Sequence, residues 1–66
     1  MIVSKDDEGY VLRNGHSTIN VPDLYSVYRH IRNSGISLKD ISYWIPDEEK
    51  EDLLIRYFRV KDGKGR

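Results

Sequence analysis

Asn14-Gly15, set between Tyr10-Val11-Leu12-Arg13 and His16-Ser17-Thr18-Ile19-Asn20-Val21, constrains this chain more than any other feature. Asn-Gly between β-prone runs is the strongest short hairpin signal, because both central residues of a type I′ turn need φ > 0. The sequence therefore predicts a hairpin region over residues 2–21. Ile2-Val3 leads into an Asp6-Asp7-Glu8-Gly9 turn, and Ile19 and Val21 share one face of the return strand.

Beyond Val21 the period changes. Leu24, Val27, Tyr28 and Ile31 recur at i, i+3, i+4 and i+7, an apolar helical stripe opened by Pro22-Asp23. Gly35 is placed to end that helix in the left-handed conformation. Ser37 and Asp40 form a weaker capping box for a short second helix with Leu38, Ile41, Trp44 and Ile45 inside. Pro46 stops it and opens a third helix over 47–59, which buries Leu53, Leu54, Tyr57 and Phe58. Leu54–Val60 also admits a strand. The expected fold class is α+β, an N-terminal β-hairpin followed by a three-helix, helix-turn-helix-like bundle. Its expected core is Leu24, Val27, Tyr28, Ile31, Leu38, Ile41, Trp44, Ile45, Leu54 and Phe58. The expected organisation is a single domain over 1–60, with three helices across 22–59 and a disordered basic tail over 61–66.

A chain of 66 residues is near the lower limit for an independent core. It has no cysteine, so neither a disulfide nor a Cys-based metal site can staple it. A core of this size rarely supplies more than about 3–5 kcal/mol, which makes a homodimer a live expectation. The apolar runs are too short for a membrane span or a signal-peptide segment, and the default location is cytoplasmic.

Charge is balanced in total but separated along the chain. Residues 46–52 carry five acids and Lys50, a net of −4, while residues 53–66 carry a net of +4. The acids Asp47, Glu48, Glu49, Glu51 and Asp52 suit the positive end of a helix dipole, and Asp52 and Arg56 stand at i,i+4. Such a helix is the wrong charge for a phosphate backbone.

Catalysis finds no support. His16 and His30 lie on different elements without a ligand at i+4, and no phosphate-cradling loop, dinucleotide fingerprint or nucleophile elbow is present. No cofactor or metal is expected. Two functions remain. The first is a small non-enzymatic regulatory or protein-binding module, an antitoxin, inhibitor or adaptor. It would meet a partner with a basic surface through Asp47, Glu48, Glu49, Glu51 and the outward-facing Tyr25. The second is a helix-turn-helix regulator that binds duplex DNA through Arg29, Arg32, Arg56, Arg59 and Lys61.

Gly9, Val11-Leu12-Arg13, Ile19 and Val21, then Gly35, Ser37, Asp40-Ile41, Pro46 and Asp52-Leu53, follow a familiar order. The chain resembles a small bacterial and archaeal family of antitoxin-like proteins of unknown function, often encoded beside PIN-like nuclease toxins. The resemblance covers residues 2–58. His16-Ser17-Thr18-Ile19-Asn20-Val21 stands where that family has Gly-Thr-Arg-Ile-Pro-Val. The resemblance implies a helix-turn-helix arrangement and a toxin-antitoxin or regulatory role. The ribbon-helix-helix repressors are a second comparison, but the Pro22–Gly35 interval is half a turn short for them and Pro46 truncates their second helix.

Overall fold

The N-terminal half builds three strands rather than one hairpin. In the computed structural model, which describes residues 1–60, β1 is Ile2–Asp6, β2 is Gly9–Asn14 and β3 is Ser17–Val21. The β1–β2 loop is Asp7-Glu8, with Asp6 opposite Gly9 and the Asp6 carboxylate accepting the Glu8 N–H at 2.9 Å. The β2–β3 loop is Gly15-His16, because Asn14 pairs with Ser17. Of the turn residues only Gly15 has positive φ, at 63°. That is what a type II′ turn asks for, so the expected type I′ turn at Asn14-Gly15 moves one residue along.

Helix α1, Leu24–Ser34, begins where expected. The Asp23 side chain accepts the Ser26 N–H at 2.8 Å, and this bond holds the Asp23 carboxyl below its ordinary range. The helix stops at Gly35, at φ 72°, whose N–H donates to the Ile31 carbonyl at 3.2 Å. A β-carbon at Gly35 would meet open space, so a Gly35→Val change acts through backbone strain alone.

The expected second helix does not exist. Leu38–Asp40 is a single 3-10 turn, and Ser42–Trp44 is a strand, β4. β4 runs parallel to β1, with Ile2, Val3 and Ser4 beside Ser42, Tyr43 and Trp44, and completes a sheet in the order β3-β2-β1-β4. Ser42 N–H donates to the Met1 carbonyl at 2.8 Å and leads the chain in. Ile41 and Tyr43 turn to the core and Trp44 turns away, 71% exposed, so the expected burial of Trp44 is corrected. Aromatic and β-branched side chains suit a pleated, half-buried surface, and here that preference prevails over a helical phase.

The third expected helix begins at Pro46 and takes a different form. α2 is Asp47–Glu51, and the chain continues through Asp52–Tyr57 as a π-helical segment. The wider winding brings Leu53, Tyr57 and Phe58 against the same neighbours. The alternative strand over Leu54–Val60 is not formed. The segment ends with Arg59 at φ 57°, the only described non-glycine residue with positive φ. Relief of that conformation in Arg59→Gly should raise stability by about 0.5–1 kcal/mol, read as a higher denaturation midpoint with unchanged slope.

The architecture is therefore α+β, a four-stranded mixed sheet with two helices on one face. It is neither a hairpin with a three-helix bundle nor the helix-turn-helix that the antitoxin-like resemblance implied. The core joins Val3, Tyr10 and Leu12 of the sheet to Val27 and Ile31 of α1, Ile41 and Leu53. Leu24, Tyr28, Leu38, Ile45 and Phe58 are half-buried against it, whereas Leu54, expected in the core, is half-buried without packing on this cluster. The expected disordered tail over 61–66 lies outside the described residues, as does Lys61.

Candidate functional site

One edge of α1 faces the π-helical segment. Val27 and Ile31 fill the core, which leaves Tyr25, Tyr28 and Arg32 at i, i+3 and i+7 along the rim. Across from them come Tyr57 and Phe58. The Tyr28 and Tyr57 rings stack with centroids 5.3 Å apart at 22°, and Phe58 meets Tyr28 edge-on at 5.1 Å. Tyr25 closes the group at 5.9 Å from both Tyr28 and Tyr57, with half of its surface exposed. Pairs in these geometries add about 0.5–1.5 kcal/mol each beyond burial.

Guanidinium groups ring these aromatic side chains. Arg32 donates to the Tyr28 hydroxyl at 3.3 Å and lies 5.7 Å from that ring. Arg56 donates to Asp52 at 3.2 Å, the i,i+4 pair expected from the sequence, and its side chain is 66% exposed. With Arg59 they line an open groove of about 490 Å³ over Tyr25, Tyr57 and Phe58. Arg29 lies beyond it, in a shallower depression beside Tyr28, Arg32 and Asn33. Tyr25, expected to meet protein, thus sits with Arg32, Arg56 and Arg59, expected to meet DNA.

The acidic helix divides. Asp47, Glu48 and Glu51 are exposed, while Glu48, Glu51, Asp52 and Ile55 border an open depression on the outer side. Glu49 turns to the sheet instead. It accepts a hydrogen bond from the Tyr10 hydroxyl on one oxygen and pairs with Lys5 at 2.7 Å on the other. The Lys5 bond, with the Tyr10 bond, holds the Glu49 carboxyl below its ordinary range. Burial, then the Glu49 bond, pushes the Tyr10 phenol up to about 12. Glu49 is therefore a tether between α2 and the sheet, and the free acids reduce to Asp47, Glu48 and Glu51.

This tether predicts two pH limits. The raised Tyr10 value means its contribution is whole below the ordinary phenol value of about 10 and is lost as pH rises through about 12. The lowered Glu49 value means its contribution is whole above the ordinary glutamate value and is lost as pH falls through the depressed one. Tyr10→Phe should remove the alkaline step of a stability–pH curve, and Glu49→Gln the acid step. A phenolate band titrating entirely at the ordinary value would contradict the Tyr10–Glu49 bond.

Among the described residues no group of His, Asp and Glu is arranged to hold a metal, and no helix is long and apolar enough to cross a membrane. The tyrosine–arginine grouping had a sequence signal in the Tyr25, Tyr28, Arg32 spacing. Nothing local announced that Tyr57 would stack on Tyr28, or that Glu49 would be drawn inward. Comparison of the chain with known protein families, curated proteins and solved structures finds no match.

Proposed function

We propose that this protein is a small non-enzymatic binding module, regulatory or adaptor-like, that receives a protein partner on the tyrosine–arginine groove. The half-exposed Tyr25, held against Tyr28 and Tyr57 and bordered by Arg32, Arg56 and Arg59, carries the reading. Tyrosine and arginine are the residues in which interface binding energy concentrates, and a ring already packed loses little freedom on binding. The partner's complement is an apolar side chain over Tyr25 flanked by carboxylates for the arginines. This is the opposite polarity to a basic partner on the acidic helix. Asp47, Glu48 and Glu51 remain a second contact, to be separated by experiment.

Affinity capture from an extract of the source cells, with and without nuclease, provides the test. Tyr25→Ala with Arg32→Ala should weaken capture of the partner at least about tenfold, since residues of this kind contribute more than about 1 kcal/mol each. Asp47→Asn, Glu48→Gln and Glu51→Gln together should leave it unchanged. The reverse pattern would move the contact to the acidic helix. Loss of the captured material on nuclease treatment would replace a protein partner with a nucleic acid.

A further inference from the structure

We propose that the open face of the sheet binds a second copy of this chain, forming a two-fold dimer in which the two Trp44 side chains meet. Alternation decides the face. Val3 and Leu12 point to the core, so Ile2, Ser4 and Asp6 of β1, Val11 and Arg13 of β2, Asn20 of β3 and Trp44 of β4 point the other way. The Asn20 side chain donates to the Asp6 carboxylate across that face at 3.2 Å. Both helices pack on the opposite side, and none of the described residues covers this one. Trp44 is 71% exposed and Ile2 40%, with Val11 half-buried between them and the polar edge.

Register arranges these side chains in rows. Trp44, Ser4, Val11 and Asn20 form the middle row, since Ser4 pairs with both Val11 and Trp44, and Val11 with Asn20. Arg13 lies at one end beside Ile2, and Asp6 lies at the other beside the Asp7-Glu8 loop. A two-fold axis in the interface, across the strands, reverses one sheet over the other. The middle rows then meet, with Trp44 facing Trp44 and Val11 facing Val11, while each Arg13 comes over the partner's Gly9, one strand or about 4.8 Å to the side of its Asp6 and within the span of the Arg13 side chain. A self-complementary patch of this kind is what an isologous contact requires. The Asp6 carboxylate accepts from Glu8 and Asn20 and keeps lone pairs for a further donor.

Charge also discriminates among occupants. Arg13 and Asp6 cancel on this face, which disfavours a nucleic acid because phosphate contact needs an excess of cations. A second copy meets both charges and the apolar centre together. It also adds a layer to a core of seven buried residues, in a chain whose size leaves little stability to spare.

Trp44 is the only tryptophan, so its fluorescence reports the interface directly. The experiment is sedimentation velocity on the full chain from micromolar to millimolar concentration, with emission recorded in parallel. The expected result is a reversible monomer–dimer equilibrium in which emission shifts to the blue as the dimer forms. Trp44→Ser should remove the dimer while leaving the dilute melting temperature unchanged. Arg13→Glu alone and Asp6→Lys alone should each weaken association about tenfold or more, and an equal mixture of the two should restore it. If Asp6→Lys perturbs its turn, Trp44→Ser and Arg13→Glu still decide the matter. A monomer throughout, a dimer indifferent to both changes, or blue emission independent of concentration would each overturn the proposal. The last would mean that the chain covers its own sheet.

Discussion

Leu53→Ala is expected to cost about 2–5 kcal/mol and to leave little of the chain folded at room temperature. Leu53 is fully buried where the π-helical segment meets α1 and the sheet, one of only seven buried core side chains among the described residues. Shortening its isobutyl group to methyl leaves a cavity that the close-packed core around it fills only in part. A domain of this size holds only a few kcal/mol of stability, so the loss is comparable to the whole. Trp44→Ala supplies the control. The sequence led to an expected loss of about 3–5 kcal/mol there, on the premise of burial. With Trp44 71% exposed, the dilute monomer should lose no more than about 0.5 kcal/mol. Chemical denaturation of the two variants side by side checks both. A larger effect at Trp44 than at Leu53 would contradict the core described above.

Gly9→Ala should be nearly as severe, and for a different reason. Gly9 opens β2 at φ 148°, a conformation that residues with a β-carbon rarely adopt. A β-carbon there would collide with the Val21 carbonyl oxygen and lie 3.0 Å from the Pro22 Cα. Those obstacles are backbone atoms at the exit of β3, where the chain turns toward α1, so they cannot swing aside. The change should cost about 2–4 kcal/mol through strain and displacement of the β3–α1 connection. Gly15→Ala provides a graded comparison. It shares the positive φ but meets open space, and should cost only about 1 kcal/mol. Equal melting temperatures for the two variants would show that close approach is not what Gly9 serves.

The contrast between α1 and β4 shows what was legible in the sequence. For α1 every local signal agreed: Pro22-Asp23 at the start, the Leu24, Val27, Tyr28, Ile31 stripe, and Gly35 at the end. Ile41-Ser42-Tyr43-Trp44-Ile45 supports two readings at once. Ile41, Trp44 and Ile45 satisfy a helical face, while Ile41, Tyr43 and Ile45 satisfy a strand. The deciding partner is β1, distant in sequence and parallel, and no window around Trp44 contains it. The site divides in the same way. Tyr25, Tyr28 and Arg32 share an edge by helical arithmetic alone, but Tyr57 joins them from a segment distant in sequence, and no local spacing pairs it with Tyr28. Glu49 looked like one more surface acid, and its role depends on Tyr10 and Lys5, which belong to strands.

The parallel pairing of β1 with β4 bears on how the chain reaches its native state. The β1–β2–β3 meander needs only two-residue closures and can form early, whereas β4 must return to the first-made strand across a loop that includes the whole of α1. Until it does, β1 has one unsatisfied edge next to the apolar Val3 and Ile2. That waiting edge is open to the Ser42–Trp44 segment of any neighbouring molecule as readily as to its own, which is the starting condition for strand exchange. Refolding at high protein concentration should therefore divert part of the chains into swapped species, and dilution should recover them.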